Sequence, residues 1–334
     1  MFNSNDIYII AEIGGNHEGD FDKALELLHQ AADAGADAVK YQIYTGDSLV
    51  NKNEDPDRVN HFNKFALSQI DYKKLASECK KRNVDFSASV WSGDLIKEFS
   101  NYLPFIKVGS GDLTAYPLLT QLARLNKPII LSTGLASLEE VKNAIEHLCN
   151  KNPLYKDPNM LALLQCTSMY PIPNSDANLS VITTFLNHFP YAVGYSDHTE
   201  STYAAELAVV LGASILEIHF TDDKQSKSFR DHLVSFDKKD LIELRKNITT
   251  IKELLGDGVK KPMKSEIDNN HLISFRRAIY PNRDIKKNQI VSEEDFVALR
   301  PNKGVSAELI SKIIGKKAKK DIKKLEQMSV FDFE

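Results

Sequence analysis

Short aliphatic and β-branched runs alternate with amphipathic stretches from the N-terminus to about residue 256. The runs predict strands at Tyr8–Ile13, Ala38–Gln42, Asp85–Val90, Phe105–Gly109, Pro128–Thr133, Leu161–Cys166, Ala192–Ser196 and Ser214–Phe220. Between them, helices are predicted over Lys23–Ala34, Tyr72–Arg82, Asp94–Phe99, Pro117–Leu125, Leu138–Leu148, Leu179–Asn187, Tyr203–Leu211 and Lys239–Leu255. In the second of these, Leu75, Ala76 and Cys79 recur near a period of 3.6, with Lys and Arg on the other side. Most strand runs are apolar without a break, the pattern of a parallel sheet covered on both faces. Eight such units in this length predict a (β/α)8 TIM barrel. An open doubly wound sheet would more often carry a glycine-rich fingerprint after its first strand. Glu12-Ile13-Gly14-Gly15-Asn16-His17 is not one.

The alternation stops at Leu254-Leu255-Gly256-Asp257-Gly258, a helix end with glycine punctuation. The division expected is a barrel over 1–260, a polar link over 261–275 and a small β-rich module over 276–334, with strand-like pieces at Arg277–Tyr280 and Phe296–Leu299. A module of about 60 residues is marginal alone, so it is expected to dock on the barrel or on a partner subunit. Its lysines between Lys312 and Lys324 read as a solvated face.

Composition narrows the function classes. At 334 residues and 42% apolar, the chain can bury a sizeable core, which excludes dominant disorder. With 42 basic against 46 acidic side chains, it offers no electrostatic case for binding nucleic acid. It has no run of about 18 apolar residues to span a membrane, and its N-terminus lacks the features of a signal peptide. Cys79, Cys149 and Cys166 are too few, and odd in number, for a disulfide framework; a reduced cytoplasm is expected.

Active sites of such barrels lie at the C-terminal ends of the strands. The polar residues there are Glu12, Lys40, Gln42, Ser89, Lys107, Ser110, Asp112, Ser132, Thr133, Thr167, Ser168, Tyr170, Ser196, Asp197, His198, Glu217 and His219. A lysine in a buried strand is costly unless paired or bound to an anion. Two lysines with several hydroxyls at one mouth predict a local concentration of positive charge suited to a phosphate and a carboxylate. His198 and His219 end adjacent strands, with Glu12 expected on the opposite side. They are either hydrogen-bonded structural residues or ligands in an open shell for Mn²⁺, Co²⁺ or Mg²⁺. Cys166, at the same mouth, reads as a buried inert thiol.

Several stretches, in this order, resemble the sialic acid synthase family of enzymes that condense phosphoenolpyruvate (PEP) with a sugar. They are Ala11-Glu12-Ile13-Gly14-Gly15-Asn16-His17-Glu18-Gly19, Gly35–Gln42, Ile106–Asp112, Ile129–Gly134, Cys166–Pro171, Gly194–Thr199 and Leu216–Thr221. Asp284–Lys287 and Leu299-Arg300-Pro301-Asn302-Lys303-Gly304 resemble that family's C-terminal antifreeze-like (SAF) domain. The resemblance implies a metal-dependent transferase that joins PEP to the open-chain aldehyde of an N-acylated hexosamine. The acceptor would be an N-acetylmannosamine-type or 2,4-diacetamido-6-deoxy sugar, and the product a nine-carbon nonulosonic acid plus phosphate.

By matching position, Lys40, Ser89, Lys107, Ser110, Ser132 and Ser196 would hold PEP. His198 and His219 would ligate the metal, Mn²⁺ first, and Glu12 would take a proton from the attacking water. Gln42, Asp112, Tyr170 and Asp231 would contact the sugar. The resemblance also implies a domain-swapped homodimer in which the partner's SAF domain caps the barrel and Arg300 reaches the N-acyl group. Departures gather on the sugar side: Asp112 for the usual Glu, Ser168 for the Asn of some members, Ser89-Val90-Trp91 ending strand three, and Ser228-Phe229-Arg230-Asp231-His232 in the last loop. Arg230 and Trp91 are the residues expected to alter the acceptor pocket. The competing readings are a Schiff-base aldolase using Lys40 or Lys107 and a catalytically inactive sugar-binding homologue.

Overall fold

Each predicted strand forms close to its expected limits. The strands are β1 (Tyr8–Gly14), β2 (Ala38–Ile43), β3 (Asp85–Val90), β4 (Ile106–Val108), β5 (Ile129–Ser132), β6 (Leu161–Cys166), β7 (Ala192–Asp197) and β8 (Ile215–His219). They pair in parallel in chain order, and β1 closes on β8. The computed structural model describes residues 6–334. Met1–Asn5, part of the N-terminus read above for a leader, lies outside the described residues. Two compact units divide the chain, one ending at Gly256 and the other running from Asp257 to Glu334.

The first unit carries the helices α1 (Phe21–Asp33), α2 (Gly46–Leu49), α3 (Pro56–Phe65), α4 (Gln69–Lys81), α5 (Gly93–Phe99), α6 (Tyr116–Ala123), α7 (Leu138–Lys151), α8 (Ser180–His188), α9 (Tyr203–Val210) and α10 (Lys238–Leu255). Local chemistry starts and stops them. Asp20 accepts from the Lys23 N–H at the start of α1, and Ser137 with Glu140 forms a capping box on α7. Gly256, at φ +62°, ends α10 in a conformation that L side chains rarely adopt. No helix among the described residues is long and apolar enough to cross a membrane.

The strands alternate beneath their apolar surface. Outward residues such as Ile9, Val39, Leu131, Leu163 and Leu216 pack with the helices in one large core. Inward residues of the lower barrel form a separate cluster that includes Ile10, Ala38, Phe105, Ile130, Leu164 and Ile215. Two positions further along, these strands carry the buried polar residues Glu12, Lys40, Lys107, Ser132 and Glu217, and β3 and β7 add the buried Ser89 and Ser196. The barrel interior is therefore dry at its base and polar at its C-terminal end.

Helices α2 and α3, between β2 and α4, are absent from the sequence expectation. Only Val59 and Phe65 of α3 are buried, too few for a visible period. Its signal is local: Asp55 caps the helix and Pro56 occupies its first turn.

The second unit holds an antiparallel pair, β9 (Ala278–Pro281) and β10 (Phe296–Leu299). Its core includes Ile279, Ile285, Val291, Phe296, Val305 and Ile313. Two short helices, α11 (Lys264–Asp268) and α12 (His271–Ser274), lie in the stretch expected to be a polar link. The lysines between Lys312 and Lys324 are exposed.

Candidate active site

The register of the barrel assembles the strand ends. Glu12 pairs across the backbone with Lys40 on one side and His219 on the other. Ser89 pairs with Lys107, and Ser196 with Glu217. Side chains then meet over the interior. The Lys40 Nζ lies 2.6 Å from Glu12 Oε2 and 3.8 Å from Glu217 Oε1. The Lys107 Nζ lies 3.4 Å from the same Glu217 oxygen and donates to Ser132 Oγ at 2.7 Å. Ser196 Oγ donates to Glu217 Oε1 at 3.3 Å, and Gln42 Nε2 donates to Glu12 Oε1 at 2.8 Å.

This geometry corrects two expectations. The mouth is not a net positive patch, because Glu12 and Glu217 balance Lys40 and Lys107. Nor does Glu12 stand opposite the histidines: closure of β1 on β8 makes it the backbone neighbour of His219. Glu217, assigned no role from sequence, is the shared partner of both lysines. Its period-two spacing from His219 on one strand was the available signal.

The electrostatics are those of a buried, coupled cluster. Burial, reinforced by the Glu217 carboxylate, raises Glu12 above the usual carboxylate range despite the Lys40 ammonium beside it. In Glu217 burial acts in the raising direction, but the Lys107 and Lys40 ammonium groups outweigh it and hold the carboxyl low. Burial lowers Lys107, whereas for Lys40 the two carboxylates prevail over burial and raise it. Glu217 Oε2 has no hydrogen-bond partner.

On the far side of Glu12 the two imidazoles face each other with centroids 5.3 Å apart. His198 Nδ1 lies 2.7 Å from the Thr167 carbonyl, so that nitrogen carries the proton and donates, leaving Nε2 with its lone pair. Burial lowers the pKa of both rings, that of His219 far below the usual histidine value, with the Lys40 ammonium adding to the effect. Both are therefore neutral, and His219 Nδ1 is buried without a partner. Two neutral imidazoles with an unused nitrogen fit a divalent cation. No group of three or more His, Cys, Asp or Glu among the described residues could hold one. A cation here would complete its shell with water or substrate oxygens.

The remaining expected residues fall around this centre. Ser110 Oγ accepts from the Gly134 N–H at 3.0 Å. A Cβ on Gly134 would meet the Ser168 and Ser110 hydroxyl oxygens at 2.4 and 2.8 Å, so glycine lets this backbone pass between the two hydroxyls. Asp112 accepts from the Trp91 indole N–H. Tyr170 stacks 4.1 Å from His198 and lies beneath the Arg230 guanidinium. Asp231 is buried on the turn after β8, 3.4 Å from Arg230 Nε. Cys166 is buried, and burial raises its thiol. A cleft of about 420 Å³ opens beside the mouth, lined by Thr133, Cys166 and Ser168 together with α7 and α8 residues. Arg300 belongs to the second unit, its guanidinium 5.2 Å above the Phe275 ring.

Residues 27–260 match the model of the NeuB family, and residues 276–327 that of the SAF domain. The chain is 36% identical to the N,N'-diacetyllegionaminic acid synthase of Campylobacter jejuni, with 94% of this chain and 96% of that protein covered. It is 30% identical to a pseudaminic acid synthase of the same organism, with 98% and 97% covered. The crystal structure of N-acetylneuraminic acid synthetase from Leptospira borgpetersenii, in complex with citrate, aligns with a TM-score of 0.73 at 32% identity, covering 80% of this chain and 91% of that one.

Proposed function

The chain belongs to the NeuB family, an enzyme barrel followed by a SAF domain, and from that premise we propose that it condenses PEP with an N-acylated hexosamine to a nine-carbon nonulosonic acid. The observation that carries this reading is the buried Lys40–Glu217–Lys107 arrangement beside a pair of neutral imidazoles. Two ammonium groups and the hydroxyls of Ser89, Ser110, Ser132 and Ser196 would hold the phosphate and carboxylate of PEP in a site that excludes water. An incoming anion takes over the contacts that Glu217 makes in the free protein.

In the reaction, C3 of PEP bonds to the aldehyde carbon, and water adds at C2, giving one proton to the Glu12 carboxylate, which passes it to the former aldehyde oxygen. The C2–O bond to phosphate then breaks; the phosphate leaves with the bonding electron pair and takes the second water proton from the C2 hydroxyl, leaving a ketone. Burial suits Glu12 to this role, because it raises the affinity for the proton. His198 and His219 would hold a divalent cation, Mn²⁺ first and Mg²⁺ or Co²⁺ next, that polarises the aldehyde oxygen. Gln42, Asp112, Tyr170 and Asp231 would orient the sugar. A second copy's SAF domain would cover the mouth, with its Arg300 directed at the acyl group.

The test is phosphate release from PEP with Mn²⁺ and a panel of N-acyl mannosamine-type and 2,4-diacetamido-6-deoxy sugars. His219→Ala should abolish metal-dependent release while the fold persists, and an active variant would reject the ligand assignment. The lowered amine of Lys107 favours a second reading, a Schiff-base aldolase. A borohydride-trapped pyruvate adduct would establish that reading and defeat the first.

A further inference from the structure

Strands β1 and β8 meet where the barrel closes, and the turns that follow them are joined by buried hydrogen bonds that the roles assigned so far leave unused. Asn16, in the turn after β1, is fully buried. Its Nδ2 donates to the Phe220 carbonyl and to Ser235 Oγ, each at 2.9 Å. Ser235 Oγ in turn donates to the Asp231 carbonyl at 2.6 Å. Chemistry fixes these directions. Both carbonyls can only accept, so the Asn16 amide must turn its nitrogen to Phe220, and the single Ser235 hydroxyl hydrogen goes to Asp231. The chain runs one way, from Asn16 through Ser235 to the backbone of Asp231.

The same amide is tied to the two strand ends. Phe220 directly follows His219, and its N–H donates to the Glu12 carbonyl at 2.8 Å. Both backbone groups of Phe220 are thus held from the β1 side, by Glu12 and by Asn16. A second tie runs beside the first. His232, next to Asp231, sets Nε2 3.1 Å from Glu18 Oε1 and Nδ1 2.7 Å from Thr221 Oγ1, so one ring bridges the two turns. Asp231 is therefore fastened at its own carbonyl and through its neighbour. Its carboxyl Oδ1, 3.4 Å from Arg230 Nε, is buried without a hydrogen-bond partner. Such an acceptor works against stability, so the clamp around it serves its placement. The residues assigned to PEP bond elsewhere, Lys107 to Ser132, Ser196 to Glu217 and Ser110 to Gly134.

Resting on the synthase reading above, we propose that Asn16 is a positioning residue for the acceptor: through Ser235 and Phe220 it fixes where the Asp231 carboxyl stands relative to Glu12 and His219. It touches neither substrate. Without it the turn after β8 is free to drift, and a misplacement of about 1 Å at a reacting site costs on the order of 100-fold in rate. PEP, gripped from other strands, keeps its contacts.

Asn16→Ala and Ser235→Ala are compared with the full-length wild type by phosphate release from PEP, with Mn²⁺ and the panel sugar that the wild type turns over. Both variants should raise the KM for the sugar while the KM for PEP holds, and Asn16→Ala should lower kcat/KM for the sugar by about 10- to 100-fold. A merely structural loss would lower the melting temperature and the active fraction and leave both KM values in place. Ser235→Ala removes one oxygen and keeps the Asn16–Phe220 bond, so it makes the test if Asn16→Ala unfolds. In an Asp231→Ala background the effect of Ser235→Ala on the sugar KM should vanish, because the carboxyl that it places is gone. Deuterium uptake over residues 228–236 reads the clamp without turnover and should rise in both variants.

An unchanged sugar KM, a PEP KM that rises equally, or full additivity with Asp231→Ala overturns the proposal, as does unchanged uptake in both variants. Raised uptake in the variants, with no phosphate released by the wild type from any panel sugar, leaves the clamp on Asp231 standing and removes the synthase reading.

Discussion

Asp231 shows how a single residue can serve a site at the expense of the fold. It is 7% exposed, and burial pushes its carboxyl up to about 6 from an ordinary 3.8, against the pull of Arg230. A raised carboxyl binds its proton more tightly in the folded state than in the unfolded one. As pH rises from about 4 to about 6, the unfolded chain releases this proton before the folded one, so stability falls across that window. At pH 7 the full penalty is present. Asp231→Asn should therefore raise the urea midpoint at pH 7, with an advantage that shrinks toward pH 4, while raising the KM for the acceptor. Urea titrations at pH 4, 5, 6 and 7 check the sign; an advantage that grew toward low pH would refute it. Glu217 marks what was legible at this scale. Its chemistry and its place near a strand end are plain in the sequence, but its partners come from β2 and β4, across the barrel interior. No local pattern states that contact, and only closure of the sheet creates it.

Among the elements, β7 and β8 depend on a glycine for their close approach. A Cβ on Gly194 would lie 2.3 Å from the Ile215 carbonyl oxygen and 2.5 Å from Leu164 Cδ2. The first neighbour is backbone and cannot rotate away. Gly194→Ala should cost about 1–3 kcal/mol through overpacking, read as a lower urea midpoint with an unchanged slope. An unaltered midpoint would mean that β7 can move away from β8 freely. The strands and the barrel helices were legible because burial on two faces, or on one stripe, imposes a period on the sequence. Helix α3 was not, because it buries only two of its ten residues and most of its face is left to water. Its capping pair, Asp55-Pro56, was readable; its contact with Phe229, more than 160 residues away in the chain, was not.

Over the whole molecule, the formal charge of −4 conceals a division. Residues 1–256 carry 25 basic and 34 acidic side chains, and residues 257–334 carry 17 and 12. The barrel unit is thus acidic and the SAF unit basic, a pairing suited to one copy's SAF domain covering another copy's barrel. Such attraction is long-ranged at low salt and confined to about 3 Å at 1 M, whereas apolar burial is strengthened or unaffected by moderate salt. Opposite charges would also speed encounter and suppress contact between like units. If the proposed homodimer forms in this way, its dissociation constant should rise at least about tenfold between 0.05 and 0.5 M NaCl, as attraction between the units is screened. Sedimentation equilibrium on the full chain measures it. A dissociation constant that stayed flat or fell with salt would place the association in apolar contacts and leave the charge division without a role in assembly.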